Sequence, residues 1–242
     1  MRKIVFEVCA NSLQSAVAAE VGGADRIELC AQLEAGGITP SAATIKLAVA
    51  QVHIPIYILI RPRSGNFLYD AYDFDVMKED IVMAKSLGAS GVVLGMLTAD
   101  GDVDVERTLE LVQLARPMCV TFHRAFDRAR NPLTALEDVI KTGADRILTS
   151  GQAPSAYLGM DVLKALVAQA GDRITILAGA GINPKNVLEI IKSTGVVEVH
   201  ASCSAVVPNG MDYISYLDSE RPHYTTDASI VKEIVTHIKS PI

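Results

Sequence analysis

The pentapeptide Gly-Ala-Asp-Arg-Ile occurs twice, at Gly23 to Ile27 and at Gly143 to Ile147, half of a 242-residue chain apart. A weaker echo, Gly-Ala-Ser-Gly-Val, sits at Gly88 to Val92. Each copy follows a helical pattern and runs into a short apolar stretch. That order reads as a helix stopped by glycine, a tight turn and a strand. Four such units of about thirty residues in each half make eight, the strand count of a closed (βα)8 barrel. In that fold the chemistry gathers at the C-terminal ends of the strands.

Composition suits such a barrel. Half the residues are hydrophobic, tryptophan is absent, and aromatics make up 5%. Strands rich in Ala, Val, Ile and Leu suit a parallel sheet buried on both faces. A net charge of −6 and a pI near 5.4 argue against a nucleic-acid partner. No apolar run reaches the length of a membrane span, and Glu7 and Asn11 interrupt any signal-peptide core. Four cysteines without CxxC or zinc spacing suggest reduced thiols. The expectation is a cytoplasmic protein with no membrane partner, one TIM-type α/β barrel domain over residues 1–242.

Candidate strands are 3–9, 26–30, 56–61, 91–95, 119–123, 146–150, 174–178 and 197–200. Helical patterns alternate with them, with Asn11, Ser41, Asp73, Asp104 and Asn131 placed to start helices and Pro132 at a first helical position. Further helices are expected over 156–170, from Asn183-Pro184 to Ser193, and over 226–238. Two connections are long, residues 62–72 and 201–225, and both leave C-terminal strand ends where loops shape pockets.

Side chains along a strand alternate between barrel interior and helix-covered exterior. The apolar set must meet the helices, so Ile4, Phe6 and Val8 go outward and Glu7 and Cys9 inward. The same test sends Arg26, Glu28 and Cys30 inward, and likewise Tyr57, Leu59 and Arg61, Thr121 and His123, Arg146, Leu148 and Ser150, and Glu198, His200 and Ser202. One mouth then collects Glu7, Glu28, Arg61, His123, Ser150 and His200, with Cys9 and Cys30 beside the glutamates. Arg26, Arg146 and Glu198 lie lower in their strands, where a self-satisfied polar layer is an equal reading. The seventh strand ends Ala178-Gly179-Ala180-Gly181-Ile182, small residues that admit close backbone approach and suit an anion as well as a tight turn.

These residues carry a family resemblance. EVC at Glu7 to Cys9, GGADRIELC at Gly22 to Cys30, GGITPS at Gly36 to Ser41 and IRPRSGNFLY at Ile60 to Tyr69 resemble the CutC family. VTFHRAFD at Val120 to Asp127 and RILTSG at Arg146 to Gly151 do so too, and the likeness runs from about residue 4 to 200. The resemblance implies a TIM-type barrel, a cytoplasmic place in copper homeostasis, a homo-oligomer, and a Cu(I) site at Cys9 and Cys30. The chain departs from the family pattern after His200, where it reads Ala201-Ser202-Cys203-Ser204, and at Met211-Asp212-Tyr213-Ile214, which has Ile where the family has Arg.

Two functions follow as expectations, beside a third, binding-only reading in which the mouth senses a ligand without turnover. In the first, soft thiolates of Cys9 and Cys30 on neighbouring strands hold Cu(I); small buried core cysteines are the competing reading. In the second, the mouth is that of an enzyme on a small anionic or phosphorylated metabolite. Glu7, Glu28, His123 and His200 are then the catalytic acids and bases. Arg61, Arg124, Ser150, Gly179, Gly181 and Ser202 are its substrate-binding groups, and no strand-end lysine offers a Schiff base. A divalent metal held by Glu7, Glu28, His123 and His200 is a variant of that enzyme.

Overall fold

A computed structural model describes residues 3–208, 210 and 223–239. Eight parallel strands close a barrel in sequential order: β1 (Val5–Ala10), β2 (Arg26–Leu29), β3 (Ile56–Leu59), β4 (Gly91–Leu94), β5 (Cys119–Phe122), β6 (Arg146–Thr149), β7 (Thr175–Ala178) and β8 (Glu198–Ala201). β8 pairs back onto β1, with Glu7 opposite His200 on one side and Arg26 on the other. Among the described residues eight α-helices wrap the barrel: α1 (Leu13–Gly22), α2 (Ala42–Gln51), α3 (Ala71–Ser86), α4 (Val105–Ala115), α5 (Pro132–Thr142), α6 (Met160–Ala170), α7 (Val187–Thr194) and α8 (Ala228–Lys239). This is the TIM-type (βα)8 fold. Among the described residues no helix is long and apolar enough to cross a membrane.

The strand parity read from the sequence matches the burial. Phe6, Val8, Ile27, Leu29, Ile56 and Ile58 join the main core between sheet and helices. Cys9, Cys30, Tyr57, Leu59 and Val93 form a separate cluster inside the barrel.

The repeated pentapeptide makes the same joint twice. Gly23 ends α1 with φ 92° and Gly143 ends α5 with φ 75°, the left-handed cap that favours glycine. Asp25 then takes the Phe6 N–H of β1 on its carboxylate, while its own N–H goes to the Phe6 carbonyl. Asp145 repeats both bonds with Val120 of β5. The repeat arginines begin β2 and β6 and meet inside the barrel. Arg26 donates to both Glu7 and Glu198, and Arg146 reaches the same Glu198 at 3.2 Å. Both guanidinium groups lie over the Tyr57 ring, 5.0 and 5.3 Å from its centroid.

Several boundaries differ from the sequence expectation for local reasons. Ser12, not Asn11, caps α1, and Asp70, not Asp73, caps α3, because each accepts the N–H three residues on. Helix α6 begins at Met160 rather than 156, after Gly151 and Gln152 turn the chain through positive φ. Helix α7 begins at Val187 rather than Pro184: Asn186 accepts from the Asn183 N–H and Asn183 from the Lys185 N–H, side-chain bonds that compete with a helical start. The long segment after β8 contains a hairpin, β9 (Ser204–Val207) with β10 (His223–Thr226), that the eight-strand reading lacked. Met211 to Ile214 lies outside the described residues.

Candidate functional site

The floor of the C-terminal mouth is a chain of charged contacts. Arg26 and His200 both bond Glu7, which is fully buried, the His200 Nδ1–H reaching it at 2.8 Å. Burial pushes the Glu7 carboxyl up, but the Arg26 charge and the His200 bond outweigh it and hold its pKa at about 2. Glu7 is therefore an ionised anchor. With Nδ1 committed, His200 turns Nε2 toward Glu28, 3.5 Å away. Burial lowers the His200 pKa, yet the Glu7 bond and the two glutamate charges win and raise it. Burial also raises Glu28, only partly opposed by His200. Cys9 and Cys30, on adjacent strands, bring their sulfurs to 3.8 Å. The Cys30 sulfur and burial together push the Cys9 thiol well above its ordinary pKa. Ligand atoms of Cys9, Glu28 and His200 all lie within 4.8 Å of one another, and no other such group of three occurs among the described residues.

Above this floor is a cavity of about 290 Å³ that also reaches Arg61, His123 and the Ala180–Ile182 turn. Gly36, Arg61, Phe67 and Arg124 line both it and a larger cavity of about 730 Å³. Arg61 ties two loops together. One Nη donates to the Ala35 and Gly37 carbonyls after β2, the other to the Gly65 carbonyl after β3, and Phe67 stacks on the guanidinium at 5.0 Å. His123 packs against the same Phe67 ring. Its Nδ1 accepts the Ala125 N–H, so the neutral ring carries its proton on Nε2, which is buried without a partner. Burial and the Arg61 charge hold the His123 pKa down at about 3.

The expected site residues thus divide. Cys9, Cys30, Glu28 and His200 share the floor, and Arg61, Arg124, His123, Gly181 and Ser202 line the cavity above. Glu7 lies beneath, spent on Arg26 and His200. The four residues considered for a divalent ion are not brought together, since His123 stands apart from the Cys9–Glu28–His200 group. Ser150 bonds Asp127 and the Ala153 carbonyl and does not line the cavity. Gly179 gives its N–H to Thr149 and leaves room for Leu148. Residues not foreseen include Asp127, which gathers Thr149, Ser150 and Gln152, and Phe67 as the plate under both Arg61 and His123. Asp127 closes the VTFHRAFD run, which was the available signal.

The CutC family model matches residues 4–205. A CutC family protein of Chromobacterium violaceum is 51% identical over 209 residues, 86% of this chain and 85% of its own length. The human copper homeostasis protein cutC homolog is 45% identical, covering 86% of this chain and 77% of that one. The crystal structure of the copper homeostasis protein CutC from Streptococcus agalactiae superposes with a TM-score of 0.78 at 32% identity, over 82% of this chain and 98% of that one. Phosphoribosylanthranilate isomerase of Pyrococcus furiosus, at 15% identity and a TM-score of 0.62, shares the barrel alone. With a match over most of its length and relatives near half identity, this chain belongs to the CutC family.

Proposed function

We propose that the protein serves copper homeostasis in the cytoplasm by binding Cu(I) at the barrel mouth, through the thiols of Cys9 and Cys30. The supporting observation is the 3.8 Å between two buried, unoxidised sulfurs. That gap exceeds the ~2.05 Å of a disulfide and is less than twice a ~2.3 Å metal–thiolate bond, so one ion reaches both. Soft thiolates select Cu(I), and a reducing compartment keeps both partners in that state. The reading adds His200 as an auxiliary nitrogen ligand, supported by the Glu7 bond at its Nδ1 and by a ring nitrogen within 4.8 Å of the Cys9 sulfur.

Binding requires the thiols to lose their protons, so the raised Cys9 pKa makes affinity rise with pH. A competition titration with a chromophoric Cu(I) chelator under reducing conditions tests the reading. Cys9→Ser/Cys30→Ser is expected to weaken Cu(I) by more than about 100-fold, roughly 2.7 kcal/mol, whereas Cys203→Ser leaves it unchanged. Equal affinity in the double variant would remove the proposal.

A further inference from the structure

The cavity over the thiols carries a second recognition element that copper does not use. We propose that it binds a small oxyanion-bearing metabolite, a phosphate or a carboxylate, seated between His123 Nε2–H and the backbone N–H groups of Ala180, Gly181 and Ile182. His123, Ala180, Gly181 and Ile182 all line the same cavity of about 290 Å³, near ten times a water's share of liquid volume.

Four observations converge on an acceptor ligand. First, His123 is 5% exposed, and its Nε2 has no partner. A buried donor left unmade is costly, and with Nδ1 holding the Ala125 N–H this edge of the ring can only donate. Second, the N–H groups of Ala180, Gly181 and Ile182 make no hydrogen bond among the described residues. The Asn183–Asn186 side-chain bonds delay α7 and keep this turn open. Ala180 sits at φ 78° and Gly181 at φ 73°, and a left-handed alanine is a sterically costly conformation of the kind that clusters at ligand sites. Successive free N–H groups in such a turn form an anion-binding concavity. Third, Arg61 is 5% exposed and no carboxylate among the described residues pairs with it, so its charge lies over the cavity uncompensated. Fourth, Arg124 lines both this cavity and the larger one, its Nε held by Asp127. The carboxylate that lines the cavity, Glu28, is turned to His200 on the floor. An oxyanion satisfies the orphan donors and neutralises Arg61 at once, which a neutral acceptor does not.

The test uses metal-free, reduced full-length protein and two probes, inorganic phosphate and malonate, titrated separately by calorimetry and by the 15N resonance of His123 Nε2. Saturable binding that shifts this resonance is expected from one probe, and which one saturates assigns phosphate or carboxylate. His123→Leu and Arg124→Gln should each weaken binding about ten-fold or more. Neither probe binding, or binding that leaves the His123 resonance unmoved, would overturn the proposal, and the resonance reads out even where a variant does not fold. Cys9→Ser/Cys30→Ser should retain the oxyanion while losing Cu(I), so this proposal and the copper reading can fail separately.

Discussion

His123 shows how one side chain couples site chemistry to stability. Desolvation and the Arg61 charge hold its pKa near 3, against 6.5 for an ordinary imidazole. Below pH 6.5 the unfolded chain therefore takes up a proton that the folded chain refuses. The sign follows: this group removes stability as pH falls from about 6.5 toward 3, at up to about 1.4 kcal/mol per pH unit. Urea unfolding across that window should show the wild-type midpoint falling more steeply than that of His123→Gln, and parallel slopes would contradict a neutral His123. Its seat also depends on Gly95, since a Cβ there would stand 2.5 Å from His123 Nδ1. Gly95→Ala should cost about 1–3 kcal/mol by overpacking and displace the imidazole; a melting scan with the His123 NMR resonances reads both. At this scale much of the site was legible, because strand parity alone turned Glu7, Cys9, Glu28, Cys30, His123 and His200 inward. The division of labour was not. Arg26 and His200 decide that Glu7 is spent, and the carbonyls of Ala35, Gly37 and Gly65 decide how Arg61 is held; these partners come from strands and loops far apart in the chain. Hence Glu7 reads as a base in the sequence and is a bound counter-ion in the fold.

Among the elements, helix starts show where local chemistry suffices. Asn131 before Pro132 reads as a helix start, and its Oδ1 accepts from both Leu133 and Thr134 N–H while Pro132 needs no donor partner. Asn131→Ala should therefore cost about 1 kcal/mol, read as a shift in denaturation midpoint with site residues untouched; no change would mean that packing alone holds α5. Where two capping residues compete within three positions, as Asn11 with Ser12 or Asp70 with Asp73, pattern does not choose between them. Tertiary context does: Asn11 is drawn to the Tyr224 carbonyl and to Ser15. The β9–β10 hairpin was missed for a related reason. Its strands are four residues each and largely solvent-facing, so neither shows the buried run that marks a barrel strand.

On the scale of the whole barrel, the duplicated pentapeptide is symmetric in sequence and in its backbone joints but not in the load its arginines carry. Arg26 spans β2 to Glu7 of β1 and Glu198 of β8, bridging the seam where the first and last strands close the barrel. Arg146, from β6, adds to Glu198 and rests against the Tyr57 hydroxyl at 3.3 Å. Removing Arg26 leaves Glu7 to His200 alone and Glu198 to Arg146 alone, whereas removing Arg146 leaves both glutamates paired to Arg26. Breaking a buried pair costs about 3–5 kcal/mol because the remaining charge stays desolvated. Arg26→Met should fall in that range, a drop in melting temperature of roughly 10 °C for a chain of this size, and Arg146→Met should cost clearly less. Equal losses would mean that the two halves share the load evenly and that closure does not depend on the β1–β8 seam. Since Glu7 also orients His200, Arg26→Met should further lower Cu(I) affinity without touching either thiol, tying the fold's interior layer to the mouth above it.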